Sequence, residues 1–351
     1  MLCIIRNMER DTGPERRRYL AVAEEILKAV AVDNLTSIFQ RIYQGFWGPR
    51  SDDLLRASCL TLIAAHASNP SLPAPSLGQI PLLLTSDPTR RRYVNALRTG
   101  DADPAETQVL GGFWAWYEQL SAPSRANVTA PLLNKLRAFL LRDFAAQMVA
   151  TKATSIDLAG VLDGGICLVR LPKGVLGVET VRLLGSFVVA KFWQAATARA
   201  QLGTHRRDAA ITVDECHNFL NLAIPPQEML AEARAYRYHQ RLAHQNLAQL
   251  SPQLREGLST NARNKVVFSV SPEDASVLER HTLPALRAHD LANLDAFQAA
   301  ARLTVGAAEQ PAFTLRTRPL PEPAQGHAAE IRTLIADRVR AEHTQSEPEN
   351  T

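Results

Sequence analysis

The run Ala209-Ala210-Ile211-Thr212-Val213 ends in two adjacent carboxylates, Asp214 and Glu215. It is short, apolar and partly β-branched, so it reads as a strand. A strand ending in paired acids can deliver the first carboxylate to a divalent cation and the second to an attacking water. That is chemistry for hydrolysing a phosphoanhydride. Strands also end in acids simply because they emerge into solvent, but the downstream residues favour the first reading. Glu232-Ala233-Arg234-Ala235-Tyr236 closes a helical segment, and Arg241-Leu242-Ala243-His244-Gln245 is a short strand ending in Gln. An acid pair, an Arg and a strand-terminal Gln in that order suit a phosphate site divided among a strand edge, a sensor and an arginine finger. Its usual partner is missing, because none of the 351 residues forms a G-x-x-x-x-G-K-[ST] loop to cradle phosphates.

The elements that must position these groups alternate. From about residue 160, short β-branched runs alternate with helices. Ile166 to Leu171 reads as a strand, followed by a long helix from 176 to 201, the strand Ala209 to Val213 and a helix near 226 to 237. A strand near 240 to 244, a helix near 247 to 259 and a strand from Val266 to Val270 complete the alternation. This predicts a mainly parallel sheet over 160–317 with helices on both faces. Right-handed crossovers then bring Asp214, Glu215 and Gln245 to one edge, where ligands bind. Arg302 to Val305 and Ala312 to Arg316 suit a final hairpin.

The upstream half is different in character. Residues 15 to 45 read as one or two helices, with a break at Asp33-Asn34. Residues 51 to 150 show no β-alternation and read as an all-α block, with Trp114, Trp116 and Tyr117 packing in one helix. A Pro-rich stretch at 318–325, a helix at 327–341 and a polar tail from His343, read as disordered, end the chain.

Several segments in fixed order carry a resemblance. They are Trp47-Gly48-Pro49-Arg50 with Asp53-Leu54-Leu55-Arg56, and Leu132-Leu133-Asn134-Lys135-Leu136 with Leu141-Arg142. Gly165-Ile166-Cys167-Leu168-Val169-Arg170-Leu171-Pro172-Lys173-Gly174 comes next, then the Asp214-Glu215 strand, then Asn261-Ala262-Arg263-Asn264-Lys265-Val266-Val267-Phe268. Over roughly 40–320 this order resembles the motor domain of type IV secretion coupling proteins. These are the TraG/TraD-like conjugative DNA-transfer ATPases of the HerA/FtsK superfamily.

The resemblance implies an α/β fold: an incomplete RecA-like P-loop NTPase core, mostly parallel sheet with helices on both faces, carrying an all-α inserted domain. It divides the chain into a helical remnant of the upstream core (1–50), the all-α insert (51–150), the C-terminal part of the core with the Walker B strand (151–320), and a helix and tail (321–351). It implies ATP and Mg²⁺ as cofactors. Asp214 would hold Mg²⁺ through water, Glu215 would orient the attacking water, Gln245 would sense the γ-phosphate, and Arg234 would serve a neighbouring subunit as the finger, with Arg263 second. The implied partners are a homo-oligomeric ring or an intact paralogue, single-stranded DNA with its relaxase or a secreted protein as cargo, and an inner-membrane secretion channel. The implied location is cytoplasmic, at the face of the inner membrane when an N-terminal anchor is joined. Relatives carry the phosphate loop upstream of the Trp47-Gly48-Pro49-Arg50 segment, so the isolated chain is expected to be inactive, with a sheet lacking strands beside the Walker B strand. A non-catalytic interaction module that assembles with an intact subunit is the alternative.

Composition bounds the remaining readings. Hydrophobic content of 46% and charged content of 21% describe an ordinary globular chain. Net charge of +4 is mildly basic and permits nucleic-acid contact. Arg16-Arg17-Arg18, Arg90-Arg91-Arg92 and Arg206-Arg207 are the candidate phosphate contacts, with exposed surface charge as the ordinary alternative. Arg92-Tyr93 and Arg237-Tyr238 have the basic-aromatic character that suits single strands. The four cysteines are scattered, and Cys59 and Cys167 read as small core residues. The pair Cys216-His217 has poor ligand spacing for zinc. An unrelated α/β enzyme using Asp214, Glu215 and His217 is disfavoured by the lack of a G-x-S-x-G elbow or an H-E-x-x-H helix. The longest apolar candidate for a membrane span, Val178 to Ala198, is interrupted by Glu179, Arg182, Lys191 and Gln194.

Overall fold

The computed structural model describes residues 14–100, 103–142, 144–145, 156–199, 206–306, 308–323 and 325–345; for 14–27 and 338–345 it describes the backbone alone. The Arg16-Arg17-Arg18 side chains, the first residues and the end of the polar tail lie outside the described residues. The chain divides into two compact units, with the main boundary at Asn261–Ala262.

The first unit opens on helices: α1 (Pro14–Ile42), α2 (Pro49–Ser68), α3 (Ile80–Thr85), α4 (Asp87–Thr99), α5 (Pro104–Gln119) and α6 (Ala122–Leu140). Several start on Pro in the first turn, behind a polar cap. Ser86, Asp103 and Ser121 each accept from a first-turn N–H that has no intrahelical partner. The expected break at Asp33-Asn34 does not occur. Helix α1 runs through both residues, and Asp33 is tied by an ion pair to Arg56 of α2.

Trp114 and Tyr117 lie in the core, as their spacing on one helix predicts. Each finds a partner for its polar tip: Trp114 Nε1 donates to Thr61 Oγ1 at 2.8 Å, and the Tyr117 hydroxyl donates to Leu84 O at 2.7 Å. Trp116, on the other face of the same helix, is exposed. Arg90 is only 1% exposed, pairs with Asp87 and lies over the Tyr117 ring. It is an internal strut, so it is removed from the candidate phosphate contacts.

The rest of the first unit comprises α7 (Leu158–Leu162), α8 (Lys173–Leu176), α9 (Val178–Ala198), β1 (Ala209–Val213), α10 (Pro226–Glu232), β2 (Tyr238–Leu242) and α11 (Pro252–Asn261). Leu183 and Leu184 of α9 belong to the same hydrophobic core as the upstream helices. Strands β1 and β2 pair in parallel, Ala209 opposite Tyr238 through Val213 opposite Leu242. The connection between them carries α10, as a parallel pair requires.

Two expectations about strands are corrected. Ile166–Leu171 belongs to no strand, although its side chains have strand character. The sheet expected across 160–317 is three separate sheets among the described residues, with parallel pairing confined to β1 and β2.

The second unit holds a three-stranded antiparallel sheet in the order β3 (Lys265–Val267), β4 (Gln298–Arg302), β7 (Phe313–Arg316). The expected final hairpin of Arg302–Val305 with Ala312–Arg316 is corrected: β7 pairs with β4, which ends at Arg302, whereas Thr304–Val305 forms β5 and pairs with β6 (Ala308–Glu309). Its core joins Ala275 of α12 (Pro272–Leu278), Leu291 of α13 (Ala288–Ala292) and Ala300 of β4. Helix α14 (His327–Gln345) ends the described chain.

Candidate functional site

The parallel register fixes the geometry of the acidic edge. Val213 and Leu242 are partners at the ends of their strands, so Asp214 and Ala243 leave the sheet side by side. Ala243 N donates to Val213 O at 3.0 Å, and Cys216 N donates to Ala243 O at 2.9 Å. Between those bonds the chain turns sharply at Glu215, whose φ of 52° is left-handed. A residue with a Cβ adopts that conformation at a cost, and such costs gather at functional sites. The turn is braced by Asp214 Oδ1, which accepts from Glu215 N at 3.0 Å.

Gln245 lies three residues beyond the end of β2, not at its last residue. Its backbone N–H donates to Gln249 Oε1 at 3.2 Å, within a reciprocal cap between Asn246 and Gln249. Its side chain then reaches the other strand's end. Gln245 Nε2 donates to Glu215 Oε1 at 2.6 Å. Asp214, Glu215 and Gln245 therefore share one edge, and all three line a cleft of about 1040 Å³.

The contacts of three neighbours went unread in the sequence. His217 Nε2 lies 3.7 Å from Glu215 Oε2, and Asn218 Nδ2 lies 3.0 Å from the same ring nitrogen. Burial lowers the His217 pKa, against the pull of Glu215, while Lys173, Arg182 and His244 also lower it. Asn218 also donates to Glu215 O at 3.1 Å, which holds the turn from below. No spacing rule signals these contacts, because a local turn creates them. Cys216 is buried and its thiol is pushed up to about 11, so it is a packing residue.

Arg234 is not brought to this edge. It sits in the one-turn helix Ala233–Tyr236 before β2, at the end of the strand pair opposite Asp214. A strand of this length separates the two ends by roughly 16 Å. Arg234 is exposed, and among the described residues it forms no ion pair with Glu228 or Glu232. Tyr93 and Tyr238 are 4% and 3% exposed, so neither offers a ring to a base. Cys167 is half-buried, not a core residue.

The acid pair can hold one cation oxygen contact and one water contact. Asp214 is an exposed single carboxylate, and among the described residues no cluster of three His, Cys, Asp or Glu side chains could cage a metal. That arrangement fits Mg²⁺, which binds through one or two carboxylates, waters and phosphate oxygens. Among the described residues no helix is long and apolar enough to cross a membrane.

No protein-family model matches the chain, and no curated protein matches it. Solved structures do. The plasmid coupling protein TrwB in complex with ADP and Mg²⁺ matches 84% of this chain and 70% of its own, with a TM-score of 0.55 at 15% identity. TrwB in complex with a non-hydrolysable GTP analogue matches 80% of this chain and 67% of its own, with a TM-score of 0.52 at 16% identity. Its complex with a non-hydrolysable ATP analogue matches the same shares, at 0.52 and 15%. The chain therefore has the RecA-like α/β fold of a conjugative coupling protein over about four-fifths of its length, as the order of its motifs implies.

Proposed function

We propose that this chain is part of a motor ATPase of conjugation or type IV secretion, which couples ATP hydrolysis to the transfer of DNA or protein. The observation that carries the reading is the Glu215–Gln245 hydrogen bond at the strand end that also bears Asp214. Asp214 would hold Mg²⁺, which neutralises charge on the phosphates. Glu215 would accept a proton from the attacking water, and Gln245, already bonded to Glu215, would report whether a γ-phosphate has displaced it. Arg234 would serve the site of a neighbouring subunit in a ring. TrwB has been captured with nucleotides and Mg²⁺, which supports the same chemistry here. Cargo of single-stranded DNA with a relaxase, or of protein, and a secretion channel at the inner membrane belong to the same reading.

The sequence contains no G-x-x-x-x-G-K-[ST] loop, which favours a second reading for the chain alone. It is a non-catalytic module that assembles with an intact ATPase subunit. Both readings meet in one experiment: mix the chain with an intact coupling-type ATPase, isolate the assembly, and measure DNA-stimulated ATP turnover. Joint assembly with altered turnover supports the motor reading. Joint assembly with no change in turnover supports the second. A chain that neither joins nor binds Mg²⁺-nucleotide overturns both.

A further inference from the structure

Asn218 is 2% exposed, and both ends of its amide are engaged. Its Nδ2 donates to Glu215 O at 3.1 Å, and its Oδ1 accepts from Arg182 Nε at 3.5 Å. A peptide carbonyl can only accept, and a guanidinium can only donate. These two partners therefore fix which end of the amide is nitrogen. A flipped amide would set oxygen against oxygen at Glu215 and N–H against N–H at Arg182. The brace comes from α9, where Arg182 holds the amide. Three residues further on, Gly185 packs so closely that an added Cβ would lie 2.2 Å from the Phe219 ring.

The amide nitrogen carries a second proton, and His217 Nε2 lies 3.0 Å from it. Nε2 must then be the acceptor, because a proton there would oppose the N–H of Asn218. Burial, the largest influence on the ring, favours its neutral form. A neutral imidazole has one N–H, so the proton sits on Nδ1. His217 Nδ1 is buried and has no hydrogen-bond partner among the described residues. An unpaired buried donor is costly, so this form is imposed on the ring by Asn218.

The consequence falls on Glu215. Its Oε1 accepts from Gln245 Nε2 at 2.6 Å, and its Oε2 stands 3.7 Å from His217 Nε2. With the ring proton on Nδ1 and the Nε2 lone pair taken by Asn218, His217 offers Oε2 no donor. An Nε2–H ring would instead turn a donor toward Oε2, and a carboxylate so engaged is a weaker base.

We propose that Asn218 is a positioning residue. It holds His217 as the Nδ1–H tautomer and so keeps Glu215 Oε2 free to accept from a water. The role given to Oε2 rests on the proposed function, whereas the tautomer rests on the hydrogen bonds alone.

The test uses the full chain, isotope-labelled at nitrogen, and reads the imidazole nitrogens by long-range NMR correlation near neutral pH. His217→Gln identifies the His217 signals by their loss. The expected spectrum has the proton on Nδ1, whereas a free imidazole prefers Nε2. Asn218→Asp supplies a carboxylate that accepts from Nε2, so the proton should move there. The new Nε2–H then competes for Glu215, and the side-chain amide signals of Gln245 should shift. In a Glu215→Gln background that shift should vanish. Arg182→Leu releases the amide oxygen and should mix the two tautomers, which keeps the test decisive where Asn218→Asp fails to fold. A wild-type ring protonated on Nε2 overturns the proposal. So does an Nδ1–H form that Asn218→Asp and Arg182→Leu both leave unchanged. Gln245 signals that stay fixed when the tautomer changes overturn it as well. None of these readouts needs turnover. Failure of the motor reading would instead appear in joint assembly and nucleotide binding, with the imidazole spectrum unaltered.

Discussion

Gln245 and Glu215 stand thirty positions apart in sequence and are joined by a 2.6 Å hydrogen bond from Nε2 to Oε1. The bond bridges the ends of two parallel strands, so it reads out their register directly. A slip of one residue in that pairing would turn Glu215 and Gln245 away from each other. Its energetic weight is small, because Gln245 is exposed. Gln245→Ala should change unfolding free energy by less than about 1 kcal/mol in urea titration. A larger loss would mean that Gln245 holds the loop rather than the acid.

The chain alone, supplied with Mg²⁺-ATP, should turn over no faster than buffer. On the proposed reading Glu215 and Gln245 would orient a water and contact a phosphate, but the 351 residues contain no G-x-x-x-x-G-K-[ST] loop to cradle the β- and γ-phosphates. The measurement is phosphate release by purified protein, with Glu215→Gln as the control. Turnover that this substitution abolishes would show that another segment serves as the cradle.

Gly185 and Gly111 should respond oppositely to alanine. Both lie in helices, where glycine is less favourable than alanine by about 0.5–1 kcal/mol. At Gly111 nothing lies within 4 Å of an added Cβ, so Gly111→Ala should stabilise by about that amount. At Gly185 an added Cβ would sit 2.2 Å from the Phe219 ring. Phe219 comes just after the Glu215 turn, so the clash reaches the candidate site. Gly185→Ala should destabilise by about 1–3 kcal/mol in the same urea assay.

The strand Ala209–Val213 was legible to its ends, because a β-branched run stopped by two acids leaves little choice of boundary. Ile166–Leu171 misled for a physical reason. Its side chains suit a pleated surface, but a strand exists only where a neighbour completes the ladder, and composition carries no information on the neighbour. Arg90 misled similarly, since a run of three arginines reads as surface charge until Asp87 and Tyr117 are placed around one of them. The contacts of His217 and Asn218 depend on the left-handed turn at Glu215, which no residue preference announces. The helices of the upstream block were legible, among its described residues, because helical spacing persists there without a competing period.

In the second unit, stability should fall in acid through His281. Burial first, then the charges of Lys265, Arg280 and Arg302, pull its pKa from the ordinary 6.5 down to about 4, against Glu309. The unfolded chain therefore takes up a proton near 6.5 that the folded chain refuses until about 4. The stabilisation from keeping His281 neutral is complete above the upper value and is lost as pH falls through that window. Imidazole resonances should titrate near the lower value, and His281→Gln should flatten the acid limb of a stability profile. An ordinary imidazole titration would remove the effect.

Arg234 should act between subunits if rings form. It lies before β2, whereas Asp214 and Glu215 lie beyond the end of β1, at the opposite end of a parallel pair. Roughly 16 Å of strand separates them, more than an arginine side chain spans. Its own subunit's acidic edge is therefore out of reach, while an exposed side chain with no ion pair to Glu228 or Glu232 can extend to a neighbour. A finger stabilises charge present only in the transition state, and its loss costs roughly three to five orders of magnitude in turnover. Rings of an intact relative carrying the Arg234→Ala equivalent, and rings carrying the Glu215→Gln equivalent, should each be nearly inactive. Mixed rings should regain part of the activity, because some interfaces then pair a working finger with a working acid. Mixtures shown to co-assemble without recovery, while rings with the Arg234→Ala change keep most of their turnover, would reduce Arg234 to a helix-end residue.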